Sequence, residues 1–169
     1  MNRSWNKEWR KSIIIMSGGF DPVHKGHLRM FREASWLGHH VIVGLNSDDW
    51  LTRKKGKPFM KFEERKEILE GFKYVNQVIP FDDSDDSACD LIRRVHSIYD
   101  GDEFEHDYED AGHQGMMDYY QIYFANGGDR GKNNVPEVSV CKDLGVIMLW
   151  GVGGGKIQSS SWLINGNKK

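Results

Sequence analysis

The sequence GGFDPVHKGH occupies residues 18–27 and decides the fold of this chain. A β-branched run at 13–15 precedes it, and apolar residues at helical spacing follow it over 28–37. This order predicts a strand that ends in a glycine turn and re-enters as a helix. His24 and His27 then lie where the first helical turn exposes unpaired N–H groups. Because helix N-termini carry about half a positive charge and bind phosphate through backbone amides, the stretch predicts an anion site with acid–base chemistry.

Composition is typical of a single globular domain. The chain has 169 residues, 38% of them hydrophobic and 28% charged, which predicts one domain over 1–169 with a sizeable core. No window approaches about 18 consecutive apolar residues, and the N-terminal extension at 1–11 lacks the apolar stretch of a signal peptide. These features predict a cytoplasmic protein that does not bind a membrane. Cys89 and Cys141 form no CxxC motif and are expected to be reduced thiols.

The net charge of the chain indicates which classes of partner it is expected to bind. A net charge of −2 argues against general binding of nucleic acid. Small molecules are therefore the expected partners. A homodimer is an open alternative to a monomer.

Strand-like and helix-like stretches alternate after the opening motif. The predicted strands are 13–16, 41–45, 77–80, 121–125 and 146–150, and the predicted helices are 26–37, 62–72, 88–95 and 136–144. This alternation predicts an α/β fold with a Rossmann-like, doubly wound sheet of five parallel strands. Such sheets bind ligands beyond the carboxyl ends of the strands, where the strand order reverses, and the motif at 18–27 lies in that place.

One acidic segment interrupts the alternation before the fourth strand. Between Val95 and Asp129 the chain has no Lys or Arg, whereas acidic and aromatic residues accumulate over 99–118. Because like charges repel, a solvated loop is the expected structure, and a lid or a contact surface is the alternative. Four side chains of this insertion could also ligate a metal ion: His106, Asp107, Asp110 and His113.

Motifs along the chain resemble those of one enzyme family. GFD at 19–21 with HKGH at 24–27 looks like the signature of the cytidylyltransferase-like nucleotidyltransferases, often called HxGH enzymes. Further stretches fall in the order that this family shows: NSD at 46–48, RKKGKP at 53–58, FEER at 62–65, GGD at 127–129 and SSS at 159–161. The resemblance covers about residues 13–164 apart from the insertion. HxGH alone is weak evidence, whereas the ordered set is specific.

The resemblance implies nucleotidyl transfer. A phosphate on a small acceptor attacks the α-phosphorus of a nucleoside triphosphate and pyrophosphate leaves, which requires positioning and charge neutralisation more than a covalent nucleophile. The implied cofactor is Mg²⁺ bridging the triphosphate. The implied catalytic residues are His24, His27, Lys55 and Arg65, and the implied ligands of the acceptor phosphate are Lys54 and Lys55. The implied nucleotide-binding residues are Gly18, Gly19, Phe20, Asp21, Gly26, Gly128, Asp129, Ser159, Ser160 and Ser161.

Several of these residues also have structural explanations. The serines at 159–161 could only cap the last helix, and Lys54 and Lys55 could lie in a solvated loop. Arg65 could pair with a carboxylate one turn away, and Asp129 could shape a glycine turn. A catalytically silent nucleotide-binding or scaffold module is the alternative from another functional class, and the intact histidine pair argues against it.

Three details bear on the choice of nucleotide. The pair Asp21-Pro22 resembles adenylyl-transferring members, whereas glycerol-3-phosphate cytidylyltransferases usually have an aliphatic residue there. The stretches NSD at 46–48 and GGD at 127–129 likewise resemble the heptose-phosphate adenylyltransferase domain. Those cytidylyltransferases also place an arginine before the final serine motif, where Lys156 is the only cation in 153–157. We therefore expect ATP, with CTP as the alternative. A sugar phosphate and a polyol phosphate remain open as acceptors.

The glycine-rich stretch GVGGGK at 151–156 does not belong to either common nucleotide-binding motif. A P-loop requires Gly where Trp150 stands and Ser or Thr where Ile157 stands, and the dinucleotide fingerprint requires Gly at Lys156. A kinase or a dehydrogenase is therefore not expected.

Overall fold

The computed structural model describes residues 11–99, 120–127 and 135–166. The strands are β1 (Lys11–Gly18), β2 (His40–Leu45), β3 (Gln77–Pro80), β4 (Tyr120–Gly127) and β5 (Ile147–Val152). The helices are α1 (Lys25–Leu37), α2 (Asp48–Lys55), α3 (Phe62–Glu70), α4 (Cys89–Tyr99), α5 (Glu137–Asp143) and α6 (Ser160–Asn165). Within these ranges the strands form one parallel sheet in the order β3-β2-β1-β4-β5, which confirms the predicted fold class.

Helices cover both faces of the sheet, which explains the uninterrupted apolar run of β1. Ile13 and Ile15 belong to an apolar cluster with residues of α4 and α5, whereas Ile14 and Met16 belong to a cluster with residues of α1. All four side chains are fully buried. A strand that is buried on both faces has no polar side to alternate with, so its sequence is continuously hydrophobic. Cys89 and Cys141 are buried free thiols, as predicted.

The strand order reverses between β1 and β4. The chain leaves β1 through α1 toward β2, and it leaves β4 through α5 toward β5, on the opposite face of the sheet. The carboxyl ends of β1 and β4 therefore border the crevice in which doubly wound sheets bind ligands. The loop from β1 to α1, which carries the opening motif, lies at this crevice.

Helix α2 was not predicted from the sequence. Its residues are mostly polar, and Leu51 is the buried position, so hydrophobic periodicity gave little signal. The available signal lies at the ends of the helix. Ser47 caps the first turn by accepting from the Trp50 amide at 3.0 Å. Acidic residues in the first turn and basic residues in the last turn complement the helix dipole.

The acidic insertion, 99–118, lies outside the described residues except for Tyr99, and so do the candidate metal ligands His106, Asp107, Asp110 and His113. Its flanks are described. The ring centroids of Tyr99 and Tyr120 are 5.2 Å apart, where α4 ends and β4 begins. Both flanks therefore lie at the amino edge of the sheet, opposite the crevice. No helix in the three described ranges is long and apolar enough to cross a membrane.

Replacement of residues 101–115 with a short Gly/Ser linker is expected to leave the core folded and to change turnover only modestly. The flanking rings are in contact, so a short linker can join them, and loops tolerate changes of length at small entropic cost. Thermal melting and pyrophosphate release of the variant, compared with the unaltered chain, measure the effect. Loss of the cooperative melt would contradict this expectation. Tight stoichiometric metal binding that only the unaltered chain shows would contradict the interpretation of the insertion as a solvated loop.

Candidate active site

A cavity of about 470 Å³ opens at the crevice between β1 and β4. The predicted site residues that line it are Gly18, Gly19, Phe20, His24, Gly26, His27, Lys55, Ser159, Ser160 and Ser161. Asp21, Lys54 and Arg65 are not among its lining residues. Gly128 and Asp129 lie outside the described residues. The structure thus brings the first and last motifs of the chain together around one cavity.

His24 and His27 are stacked at the start of α1, with ring centroids 3.7 Å apart and an interplanar angle of 18°. His24 is the N-cap residue, and its Nδ1 accepts from the Gly26 amide at 3.1 Å. Nδ1 of His27 accepts from the His24 amide at 3.3 Å. Because each Nδ1 is an acceptor, the proton of each neutral ring resides on Nε2. The capping contacts therefore fix the tautomer and make Nε2–H the donor of each ring.

Burial lowers the pKa of both histidines. The pKa of His27 falls to about 3, mainly because the ring is withdrawn from water, with repulsion from His24 and Lys55 adding to the effect. Burial also lowers the pKa of His24, against a backbone hydrogen bond that raises it. Both imidazoles are therefore neutral hydrogen-bond donors at neutral pH. A polyanion placed beside them would favour the protonated form.

The free energy of unfolding is expected to fall between about pH 7 and pH 5 more steeply in the unaltered protein than in His27→Asn. The pKa of His27 is 6.5 in the unfolded reference and about 3 in the folded protein. The unfolded chain therefore binds more protons over this interval, so stability is lost as pH falls below 6.5. Urea titrations at both pH values measure the change. An unchanged slope in His27→Asn would contradict the expectation.

Glycines of the motif make room for protein side chains as well as for a ligand. A Cβ at Gly26 would lie 3.0 Å from Nδ1 and Cε1 of His24. A Cβ at Gly19 would lie 2.8 Å from Leu51 and 3.2 Å from Trp50, both on α2. The absence of a Cβ also lets a phosphate approach the backbone closely. The structure adds that Gly26 permits the capping position of the His24 ring.

Arg65 is 1% exposed and contacts protein groups instead of the cavity. Nη1 donates to the carbonyl oxygens of Gly19 at 2.8 Å and Asn46 at 2.9 Å, and Nε donates to that of Met60 at 3.1 Å. Nη2 pairs with the Asp48 carboxylate at 2.8 Å. The predicted role as a cation for the substrate is therefore revised, because the guanidinium is engaged by the ends of β1 and β2. Its carboxylate partner lies on α2 and not one turn away.

The two predicted lysines at the end of α2 have different partners in the structure. Nζ of Lys55 donates to the carbonyl oxygen of Asp21 at 3.0 Å, and Lys55 lines the cavity. Burial lowers the pKa of Lys55, while the nearby Asp21 carboxylate raises it. Nζ of Lys54 instead pairs with the Asp86 carboxylate at 3.5 Å. Lys55 is thus the lysine of this pair that lines the cavity.

Asp21 is buried and its carboxylate holds a neighbouring loop. Its oxygens accept from the amides of Phe59 and Met60, each at 2.8 Å. The prediction that Asp21 binds nucleotide is therefore revised to a positioning role, because both carboxylate oxygens are engaged by the backbone at 59–60. This contact joins the motif loop to the chain between α2 and α3.

The serines at 159–161 attach α6 to the motif loop. Oγ of Ser159 accepts from the Trp162 amide at 3.3 Å and caps the helix, as the structural explanation predicted. Oγ of Ser160 donates to the carbonyl oxygen of Pro22 at 2.8 Å. The hydroxyls of Ser159 and Ser161 are 3.0 Å apart, and all three residues line the cavity. The hydroxyl of Ser159 therefore caps α6, and the hydroxyl of Ser160 attaches α6 to the motif loop.

Several lining residues were not assigned to the site from the sequence. They include Trp50 on α2, Asn126 at the end of β4, and the glycines at 153–155. Gly153 has φ +85, and a Cβ there would lie 2.9 Å from the Met30 backbone. Its amide donates to Oε2 of Glu33 at 2.8 Å. The glycine run was the available signal for this loop, while nothing in the spacing indicated Trp50 or Asn126.

The lining of the cavity suits a polyanion. It contains Lys55, Lys156, two neutral imidazoles and several serine hydroxyls, and the described lining residues include no carboxylate. No group of three or more His, Cys, Asp or Glu in the described ranges could hold a metal ion. A metal ion that enters with a phosphate ligand would therefore be bound mainly through phosphate oxygens.

Comparison with known sequences identifies a family and relatives that match part of this chain. A family model described as cytidylyltransferase-like matches residues 15–124. The chain is 32% identical over 93 residues to glycerol-3-phosphate cytidylyltransferase of Bacillus subtilis, a match that covers 54% of this chain and 72% of the relative. It is 36% identical over 94 residues to bifunctional protein HldE of Wolinella succinogenes, covering 53% of this chain. That match spans only 19% of the length of HldE.

Solved structures share the fold at low sequence identity. A lipopolysaccharide core biosynthesis protein from Thermoplasma volcanium superposes with a TM-score of 0.55 at 19% identity, over 83% of this chain and 93% of the other. A putative nicotinate-nucleotide adenylyltransferase from Vibrio parahaemolyticus gives a TM-score of 0.57 at 15% identity, over 94% of this chain and 90% of the other. These matches confirm the Rossmann-like architecture.

Proposed function

The chain belongs to the cytidylyltransferase-like family of nucleotidyltransferases, and from this membership we propose that it transfers a nucleoside monophosphate from a nucleoside triphosphate to a small phosphorylated acceptor. Pyrophosphate is the second product. The observation that carries the proposal is the stacked pair of His24 and His27 at the start of α1, which lines the cavity.

In the proposed reaction the histidines act as neutral donors to the triphosphate. Nε2–H of His24 and of His27 donates to oxygens of the α-phosphoryl group and of the departing pyrophosphate. The positive end of α1, a helix of 13 residues, adds to the stabilisation of the negative charge. Donors that are already fixed by capping contacts need no reorganisation as charge develops, which is why such groups lower the barrier.

The acceptor is proposed to bind at Lys55. Its ammonium group is held by the carbonyl oxygen of Asp21 at 3.0 Å, close to the motif loop. From there it neutralises the acceptor phosphate, so that an acceptor oxygen can approach the α-phosphorus in line with the leaving group. Arg65 and Asp21 act as positioning residues because they fix the loops that carry this geometry. Trp50 lies on the same helix and lines the same cavity.

Mg²⁺ is the proposed cofactor. Nucleotidyltransferases of this family generally use Mg²⁺, and its preference for phosphate oxygens with few protein ligands fits a described lining that has no carboxylate. The hydroxyls at 159–161 are side-chain oxygens that could complete its coordination. When bound, the ion neutralises charge on the triphosphate.

Pyrophosphate release tests the proposal directly. The protein is incubated with Mg²⁺, each of the four common ribonucleoside triphosphates, and a panel of phosphorylated sugars and polyols. Release that requires both a triphosphate and an acceptor is the expected result. Tight binding of a triphosphate without release for any pair would instead support the catalytically silent module.

ATP is expected to bind more tightly than CTP. The support is the Asp21-Pro22 pair and the absence of an arginine in 153–157, although the Asp21 carboxylate itself contacts backbone amides and not the cavity. An unpaired buried polar group costs about 1–3 kcal/mol, so one mismatched contact to the base gives a preference of roughly tenfold to a hundredfold. Calorimetric titration of both nucleotides with Mg²⁺ and a non-reacting acceptor measures it. Clearly tighter CTP would place the protein in the cytidylyltransferase branch.

A further inference from the structure

Among the described residues, Asn126 carries a buried side-chain nitrogen that has no hydrogen-bond partner. The residue lies at the carboxyl end of β4, is 3% exposed and lines the cavity. Its Nδ2 has no hydrogen-bond partner in the part of the chain that the structure describes. Buried polar groups are nearly always paired, because a donor removed from water without an acceptor is costly. The missing acceptor therefore requires an explanation.

The position of Asn126 points to a ligand as that acceptor. The register pairs Ile15 of β1 with Phe124 of β4, so Asn126 lies two residues beyond the last paired position, at the reversal of strand order. The register with β5 shifts at this point: Asn126 pairs with Trp150 and Gly127 pairs with Val152, so Gly151 of β5 is the extra residue. Such irregularities commonly occur next to active sites. Asn126 shares the cavity with both imidazoles.

A second buried asparagine, Asn46, has a side-chain amide whose nitrogen is paired within the protein. Asn46 follows β2 at the same edge of the sheet, and its Nδ2 donates to Oδ2 of Asp83 at 3.0 Å. The described residues supply a partner for Nδ2 of Asn46 and none for Nδ2 of Asn126. The other buried polar side-chain atom without a partner in the described ranges, Nε2 of His40, lies at the amino end of β2 and does not line the cavity.

We propose that Asn126 is a nucleotide-binding residue whose Nδ2 donates a hydrogen bond to an oxygen of the bound nucleoside triphosphate, on a phosphate or on the ribose. This inference rests on the proposed function. The χ2 torsion of asparagine is broad, so the carboxamide can turn toward a bound ligand without leaving a rotamer well. The donor contributes to nucleotide affinity and does nothing for the stability of the protein alone.

The test separates affinity from stability. Asn126→Leu removes the donor and keeps the approximate volume, and Asn126→Ala is the second variant. Calorimetric titration with ATP and with CTP should show that the dissociation constant for the preferred nucleotide rises about tenfold or more in both. The melting temperature of Asn126→Leu without nucleotide should equal or exceed that of the unaltered protein.

Asn76→Ala is the matched control. Oδ1 of Asn76 accepts from the Val41 amide at 2.8 Å, at the amino end of β2. This variant should lose stability and keep its nucleotide affinity, the reverse of the result expected at Asn126.

Asn126→Asp distinguishes the two acceptor oxygens. A carboxylate repels a phosphate, so a phosphate contact predicts a loss of about a hundredfold in affinity. A carboxylate can accept from a ribose hydroxyl, so a ribose contact predicts affinity close to that of the unaltered protein. An Asn126→Leu variant whose affinity stays within about twofold would overturn the inference, as would loss of stability at unchanged affinity. If the unaltered protein binds none of the four ribonucleoside triphosphates, the proposed function itself fails.

Discussion

Turnover is expected to fall by about 10²-fold or more in His24→Ala and in His27→Ala, with little loss of fold. Each change removes one Nε2–H donor that faces the developing phosphate charge in the proposed mechanism. Alanine at 24 also removes the N-cap, which costs about 1 kcal/mol of stability. The kinetic effect should therefore be much larger than the effect on stability.

Two conservative variants separate these effects. Asn is a good N-cap residue, so His24→Asn should keep the acceptor for the Gly26 amide while it lacks the imidazole donor. Gln is favoured at the third position of a capping box, so His27→Gln should keep the contact to the His24 amide. Both are expected to melt near the unaltered protein and to lose turnover in pyrophosphate release. Unchanged rates in these folded variants would rule out the histidine mechanism.

The second large effect is expected at Lys55. Replacing Lys54 and Lys55 together should raise the acceptor KM, and the structure assigns this effect to Lys55, because Lys54 pairs with Asp86. A charge-assisted hydrogen bond contributes roughly 1.5–3 kcal/mol, so Lys55→Ala should raise the acceptor KM by about tenfold to a hundredfold, with a decrease in kcat. Initial rates measured against each substrate in turn separate the two binding steps.

Lys54→Ala is the control for Lys55→Ala, because it removes an equal charge from the adjacent position. It should leave the KM values for both substrates nearly unchanged. An equal effect at Lys54 would contradict the separation of the two lysines. An effect of Lys55→Ala on nucleotide affinity alone would show that Lys55 binds the triphosphate and not the acceptor.

The sequence predicted the fold well where burial leaves a pattern. Residues 13–16 are continuously apolar because helices cover both faces of β1, and β3 has the predicted bounds, 77–80. Helix α2 was not predicted because most of its residues are polar and Leu51 is its buried residue, which leaves no hydrophobic periodicity to detect. Its capping serine and its charge order were the usable signals, and they are weaker than periodicity.

The site was predictable where its residues are contiguous and less so where they meet only in space. His24, Gly26 and His27 lie within one helical turn, so the motif alone indicated their arrangement. The role of Arg65 depends on acceptors at Gly19 and Asn46, and an arginine that binds substrate has the same signature in sequence. Asn126 gave no signal, because its relevance depends on the strand order. The roles of Gly128 and Asp129 stay predictions.

The contacts of Arg65 and Asp21 have a consequence for local opening of the native state. Arg65 donates to the carbonyl oxygens of Gly19 and Met60, and Asp21 accepts from the amides of Phe59 and Met60. Hydrogen bonds donated by Arg65 and hydrogen bonds accepted by Asp21 therefore both join the loop after β1 to the chain between α2 and α3. We expect the amide protons of 59–60 to exchange with solvent only when the histidine loop opens too. Two segments about 40 residues apart in the sequence would thus form one cooperative unit of hydrogen exchange.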